Sequence, residues 1–217
     1  NTDGTIQSIV SANQAAGFSI VKFNKTTNSS TASTFGHGLG VAPEMIILKR
    51  TDGVEDWYVY NTTLGNAARI QLNSSDAQTT GTNVWGQTDP TSSVFTVESF
   101  NAGNAIAYCF VSISGFSKMG SYNGSGSDGN VVATGFEPSW VMIKRINSTG
   151  GWLIFDSARN TSNPRNSRLE ANNSSAEQAG SASKFVDFNA TDFEANGSDS
   201  ELNASGGTYL YLAFKEN

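Results

Sequence analysis

The sequence predicts an all-β protein, a β-sandwich of jelly-roll or lectin-like type built from two homologous halves of roughly 100 residues each. Short runs rich in β-branched and aromatic residues are separated by clusters of Gly, Asn, Asp and Ser, which is typical of strands and turns. Several of these runs recur in the same order further along the chain. No segment keeps a helical periodicity over the ten or more residues that a helix would need.

The internal repeat is the strongest of these observations. GVAPEMIILKR at residues 40–50 returns as GFEPSWVMIKR at residues 135–145, and DWYVYN at 56–61 returns as GWLIFD at 151–156. NAGNAIAYCF likewise corresponds to NASGGTYLYLAF near the end of the chain. Matching blocks in one order indicate a duplication.

The repeat sets the predicted domain boundaries. Residues 1–16 are expected to form a lead-in strand that continues from a longer chain, residues 17–114 the first repeat and residues 115–217 the second. No Pro- or Ser-rich linker separates the copies, which favours one composite sandwich. Two tandem domains are the alternative.

The repeated phrase is predicted to be a hairpin at the core of each copy. MIILKRTDGVEDWYVY and WVMIKRINSTGGWLIF each hold two apolar runs around a turn. Pro43 and Pro138 each precede the first strand of their hairpin. At that place the fixed φ of proline starts an extended segment, and the missing N–H removes no hydrogen bond between strands. In EMIILK both faces are apolar, which predicts a central strand.

Composition excludes several classes of function. The net charge of −6 argues against nucleic acid, whose phosphates require a basic surface. No apolar run approaches a membrane span, so membrane insertion is not expected. The single cysteine, Cys109, excludes a disulfide framework within the chain and is interpreted as a buried hydrophobic residue.

Candidate catalytic and metal sites are weak, and the chain is predicted not to be an enzyme. His37, the one histidine, is flanked by glycines that indicate a turn, and no GxSxG motif accompanies it. No cofactor is expected. A late acidic cluster leaves open a Ca²⁺ site, although its spacing fits no known loop and a solvated face is the simpler interpretation: Asp187, Asp192, Glu194, Asp199 and Glu201.

Two irregular loops carry the candidate binding residues. One loop places a tryptophan among amides, as in sugar-binding surfaces, unless that tryptophan anchors the loop to the core. The other loop carries arginines among asparagines, which would suit an acidic glycan or a neighbouring subunit. The candidates are Trp85, Asn83 and Gln87 in the first loop and Arg159, Asn163 and Arg165 in the second. Trp140, which replaces Met45 in its repeat, is expected in the core.

The motifs resemble those of a tandem-repeat β domain found in tail-fibre and other structural virion proteins of tailed phages, marine ones especially. GHGLGVAPEMIILKR, DWYVYN, GFSKMGSYNGSGSDG and GWLIFDSARNTSNP carry the resemblance, which covers nearly the whole chain. It implies a structural part of a longer protein and no catalytic residues.

The resemblance and the loops together predict a non-enzymatic structural or adhesion module on the surface of a virion, in a tail fibre, tail tip or capsid. Its expected partners are other virion subunits, including copies of itself, and a host-surface glycan. One alternative is a purely architectural decoration or assembly domain. Others are a polysaccharide depolymerase, which would need a carboxylate pair in a groove, and a cell-surface protein of a bacterium or archaeon.

Overall fold

The computed structural model describes residues 1–216, and these residues form antiparallel β-strands without a helix, as predicted. None of the described segments is a helix that could cross a membrane. The strands are β1 Ser8–Asn13, β2 Phe18–Lys25, β3 Ser33–Gly36, β4 Met45–Arg50, β5 Tyr58–Asn61, β6 Ala68–Gln71, β7 Thr79–Thr80, β8 Val94–Val97, β9 Gly103–Phe110, β10 Ser117–Asn123, β11 Asn130–Ala133, β12 Trp140–Arg145, β13 Trp152–Asp156, β14 Leu169–Glu170, β15 Phe185–Asn189, β16 Asp192–Asn196 and β17 Thr208–Phe214.

The chain divides into two compact units. The first consists of Asn1–Leu72 and Gln78–Ser112, and the second of Asn73–Ala77 and Ile113–Asn217. The main boundary therefore falls two residues before the predicted one. The repeat alignment does not predict that the short segment Asn73–Ala77 belongs to the second unit. The single composite sandwich stays a prediction.

The first unit packs two sheets around its own core. Its large sheet has the order β1-β2-β9-β4-β5-β6-β7, and β3 pairs with β8 in the small sheet. Phe23 of β2 stacks on Phe35 of β3 with ring centroids 3.8 Å apart, and Phe95 of β8 packs beside both rings. The predicted central strand is confirmed, because β4 lies between β9 and β5 and Met45–Leu48 are buried.

The second unit repeats this plan. Its larger sheet has the order β10-β17-β12-β13-β14, which matches β2-β9-β4-β5-β6, and its smaller sheet has the order β11-β16-β15. The pairings also match in register, since Met45 lies opposite Phe110 in one unit and Trp140 opposite Phe214 in the other. Both predicted hairpins are present, as β4–β5 and β12–β13.

Buried tyrosines should make the fold sensitive to alkali. Burial raises the pKa of Tyr58 to about 12, and burial likewise raises the pKa of Tyr60, Tyr122 and Tyr209. The folded chain therefore keeps protons that the unfolded chain loses near pH 10, so the free energy of unfolding falls as pH rises above about 10.

A near-ultraviolet titration of tyrosinate, run beside circular dichroism, tests this expectation. Only some of the six tyrosines should ionise while the chain is folded, and the remainder should ionise together with loss of structure. Ionisation of all six near pH 10 with the circular dichroism unchanged would contradict it.

Candidate functional site

Trp85 is not the exposed sugar platform that its polar neighbours suggested. Its side chain is 2% exposed and lies in the core of the first unit. The indole meets Tyr60 edge to face with ring centroids 5.7 Å apart. Because stacking on a sugar needs an open ring face, the platform interpretation is wrong and Trp85 is the anchor of its loop.

Asn83 and Gln87 organise the turn that carries Trp85. Gln87 Nε2 donates to Asn83 Oδ1 at 2.7 Å, and the Asn83 carbonyl accepts the Gly86 N–H at 2.9 Å. Gln87 has φ 48°, which is uncommon for a residue with a side chain. The two amides therefore bind each other, which is consistent with a role in shaping the turn.

Arg159 lies at the surface of the second unit, but its guanidinium is already occupied. It pairs with Asp156 at 2.6 Å and with Glu177 at 3.1 Å, and it also donates to the Ile154 carbonyl at 3.0 Å. Two carboxylates neutralise the cation and use its donors. The Arg159 guanidinium is consequently held in one position by its own unit. This does not fit the predicted recognition of an acidic glycan.

Asn163 and Arg165 are also bound within the fold. The Asn163 amide donates to the Phe188 carbonyl and accepts the Phe188 N–H, each at 3.0 Å, as a neighbouring strand would. Arg165 is 6% exposed, donates to the Asn160 carbonyl and lies over the Phe188 ring. These two residues hold their loop against β15, and Arg165 also lines a surface hollow. Their direct contact with a ligand stays a prediction.

The strongest candidate site is a shallow groove in the second unit. It consists of two hollows of about 400 and about 590 Å³ that share Ser139, Ser157 and Glu216. We call it the Trp140 groove. Its further lining residues are Trp140, Asp156, Ala158 and Arg159 in the larger hollow and Glu137, Pro138, Thr161, Arg165 and Lys215 in the smaller.

The strand pairing explains why Trp140 lines this groove. Trp140 begins β12 opposite Phe214 of β17, and its indole leans on the Phe214 ring at 5.8 Å. Both rings are half-buried, so the expected core position of Trp140 is wrong. Met45, its equivalent, is buried, and the larger indole at the same register position remains partly in solvent.

Polar groups of the groove remain available to a ligand. Within residues 1–216, the hydroxyls of Ser157 and Thr161 and the carboxylate of Glu137 have no hydrogen-bond partner. Ser139 Oγ, by contrast, donates to the Phe214 carbonyl at 3.3 Å. Hydroxyls beside an amphipathic indole match the mixed polar and apolar faces of a sugar.

His37 and Cys109 are structural. His37 is buried: Nδ1 accepts the Leu39 N–H at 3.2 Å, so Nε2 carries the proton and donates to the Thr91 carbonyl at 3.1 Å. Burial lowers the pKa of His37 and raises the pKa of Cys109 to about 12. Both side chains are therefore held uncharged at neutral pH.

Each of the late acidic residues has a side-chain partner within the second unit. Asp199 and Glu201 pair with the buried ammonium of Lys184, and Asp187 accepts from the Asn196 amide at 3.0 Å. No group of three or more His, Cys, Asp or Glu side chains suited to a metal occurs in the part of the chain that the structure describes.

One family model matches the whole chain, residues 1–217, and its description is "Domain of unknown function (DUF7483)". The chain belongs to this family. It matches no curated protein and no solved structure.

Sequence reasoning missed the Trp140 groove of this DUF7483 domain although one signal was present. Trp140 stands where the first repeat has Met45. A larger, aromatic side chain at an equivalent position marks a place where the two repeats differ. The other lining residues come from distant parts of the chain, from Glu137 to Glu216. Only the pairing of β12 with β13 and β17 brings them together.

Proposed function

We propose that the chain is a non-enzymatic structural and adhesion module of a phage virion, and that it binds a neutral glycan in the Trp140 groove. The observation that carries the binding proposal is the half-buried indole of Trp140 beside the unpaired hydroxyls of Ser157 and Thr161. The resemblance of the repeated motifs to virion proteins supports the location on a tail fibre, tail tip or capsid.

The charges of the groove favour a neutral sugar over an acidic one. Arg159 is paired with Asp156 and Glu177, and Arg165 is buried against Phe188. Glu137 and Glu216 lie exposed at the rim and outnumber Lys215, a lining cation that is also exposed. An anionic glycan would meet these carboxylates while the guanidinium groups stay engaged, which is unfavourable.

The same contacts remove one groove carboxylate, Asp156, from the candidates for hydrolysis, whereas Glu137 and Glu216 stay exposed. A glycosidase needs one carboxyl group free to donate a proton and a second to act as base or nucleophile. Asp156 holds the N–H of Arg159 with one oxygen and its Nε with the other. A carboxylate held in this way positions the loop and is poorly placed to serve a reaction.

A glycan array of neutral and sialylated oligosaccharides tests the groove. The chain should retain neutral glycans in preference to sialylated ones, and Trp140→Ala should weaken retention by at least about ten-fold, because an aromatic anchor is lost. Ser157→Ala should give a smaller loss. Trp57→Ala, at a half-buried tryptophan of the first unit, is the matched control and should bind normally.

Equal binding by Trp140→Ala and the unchanged chain would refute the groove as the binding site. Release of reducing ends from a bound polysaccharide would refute the non-enzymatic assignment.

Immunogold microscopy of the source particles tests the location. Gold at fibres, tail tips or capsids supports a virion protein, whereas label confined to cells would overturn that part of the proposal.

A further inference from the structure

A loop of the first repeat is part of the second unit. Asn73–Ala77, here called the first loop, lies in sequence between β6 and β7 but belongs to the second unit. The Ser75 carbonyl accepts from the Gly150 N–H at 2.8 Å and from Lys144 Nζ at 3.0 Å. Lys144 and Gly150 thus form a receptor for a loop carbonyl.

This receptor is closed over by the first loop. Lys144 is fully buried and also donates to the Gly150 carbonyl at 2.6 Å. Burial lowers its pKa to about 8, and the nearby carboxylates of Glu201 and Asp76 act in the opposite direction. The first loop therefore supplies both a carbonyl acceptor and a compensating negative charge.

The second repeat carries an equivalent loop of the same length, residues 172–176, here called the second loop. The strand pairings that flank the two loops match at an offset of 99 residues. The internal turn matches as well: the Asp76 N–H donates to Ser74 Oγ at 3.0 Å, and the Ser175 N–H donates to Asn173 Oδ1 at 2.8 Å. Ser174 is therefore the counterpart of Ser75.

The second loop differs from the first in being uncovered. Ser75 is half-buried in the second unit, whereas residues 173–176 are all exposed. Ser175 replaces Asp76, so the second loop lacks the carboxylate that the first loop presents to Lys144. A loop with a conformation suited to docking thus lies in solvent.

The first unit contains an equivalent receptor that is also uncovered. Lys49 Nζ donates to the Glu55 carbonyl, as Lys144 does to Gly150. Lys49 is only half-buried, and the Glu55 N–H has no acceptor among residues 1–216. Val54, the neighbouring side chain, is 98% exposed, so no part of the described chain covers this side of the receptor.

We propose that the second loop of one copy docks on the first-unit receptor of another copy, with the Ser174 carbonyl accepting from Lys49 Nζ and the Glu55 N–H. The loop and the receptor are different surfaces, so the contact is heterologous. Such contacts join copies head to tail into rings or filaments and do not stop at a symmetric dimer.

A single contact of this kind is weak. The first loop docks within its own chain, where the local concentration is high, while two copies must give up translational and rotational freedom. One loop also buries far less area than a stable interface needs. The association should therefore show at high protein concentration or where many copies are displayed together, as on a particle surface.

Sedimentation velocity over a range of concentrations tests the proposal. The average mass should rise with concentration and pass beyond that of a dimer. Lys49→Ala should weaken the association by at least about ten-fold, because it removes a charged hydrogen-bond donor. Lys22→Ala, an exposed lysine of the same unit, is the matched control and should associate normally.

Substitutions in the exposed second loop give an independent test with little risk to folding. Ser175→Asp restores the carboxylate of the first loop and should tighten association by about two- to five-fold, and Ser175→Lys should abolish it. A mixture of Lys49→Ala and Ser175→Lys chains should form a one-to-one dimer that neither forms alone, since each keeps the half that the other lacks.

Two results overturn the proposal. One is a monomer at every concentration for both the unchanged chain and Ser175→Asp. The other is association that persists in Lys49→Ala or Ser175→Lys. Because neither substitution touches the Trp140 groove, this outcome and the glycan result can be read separately.

Discussion

Trp85→Ala is expected to lower the free energy of unfolding by about 3–5 kcal/mol, the usual loss when a fully buried aromatic side chain is truncated. Trp85 is among the largest fully buried side chains of the first unit, and its removal leaves a cavity beside Tyr60. Urea unfolding followed by circular dichroism measures the loss as a lower midpoint.

Two control variants separate this effect from others. Val54→Ala, at a 98% exposed position of the same unit, should leave the midpoint unchanged at low protein concentration. Trp85→Phe should lose less than Trp85→Ala, because a ring still fills the site and because the buried Trp85 Nε1 has no hydrogen-bond partner to lose. A normally stable Trp85→Ala chain with lost glycan binding would restore the platform interpretation that the structure contradicts.

Gly197→Ala is expected to have the second large effect, at least about 3 kcal/mol. Gly197 follows β16 with φ 80°, a conformation that costs a residue with a Cβ about 1–2 kcal/mol. A Cβ at this position would also lie 2.0 Å from the Ser183 carbonyl oxygen, a backbone atom that cannot move aside cheaply. Asp128 and Asn203 bind the Gly197 backbone on both sides and hold it in place.

Gly180→Ala isolates the two contributions. Gly180 belongs to the same unit and has φ 76°, but a Cβ there meets nothing within 4 Å. Gly180→Ala should therefore lower the free energy of unfolding only by the cost of placing a Cβ at positive φ. The difference between Gly197→Ala and Gly180→Ala then measures the cost of the steric clash. Thermal unfolding of both chains under one condition gives that difference, and equal losses would show that the β15–β16 end relaxes around the new methyl group.

The fold was largely predictable because it rests on local patterns. Alternating and fully apolar runs define strands wherever they occur, and turn residues between them define hairpins. The duplicated phrase fixed β4–β5 and β12–β13 as equivalent hairpins, and the structure pairs them in the same register. None of this required knowledge of which strands are neighbours in a sheet.

The candidate site was less predictable because exposure is a tertiary property. Trp85 lies in a polar loop and reads as a surface residue, yet the loop folds inward and buries it against Tyr60. Trp140 lies in an apolar strand and reads as core, yet its indole is half-buried because it is larger than the buried Met45 side chain at the equivalent position. Neighbours in sequence left Trp85 open between platform and anchor and gave the wrong answer for Trp140, since neighbours in space decide burial.

The arginine-rich loop shows the same difficulty for charge. Arg159 and Arg165 stand among asparagines in the sequence. Their nearby partners, Asp156 and the Asn160 carbonyl, are visible there only as neighbours, and Glu177 is 18 residues away from Arg159. The loop conformation decides that these groups bind the two guanidinium groups. Within the fold the two arginines hold the groove in shape, and their role in recognition stays a prediction.

The sequence by itself determined the all-β class, the recurrence of similar sequence blocks, the strands that follow Pro43 and Pro138 and the acidic net charge, since each follows from residue type and order along the chain. Only the tertiary structure decided which side chains reach solvent, which charges are paired and that the first loop belongs to the second unit. These properties depend on contacts between residues far apart in sequence, and a pattern read along one chain carries no record of them.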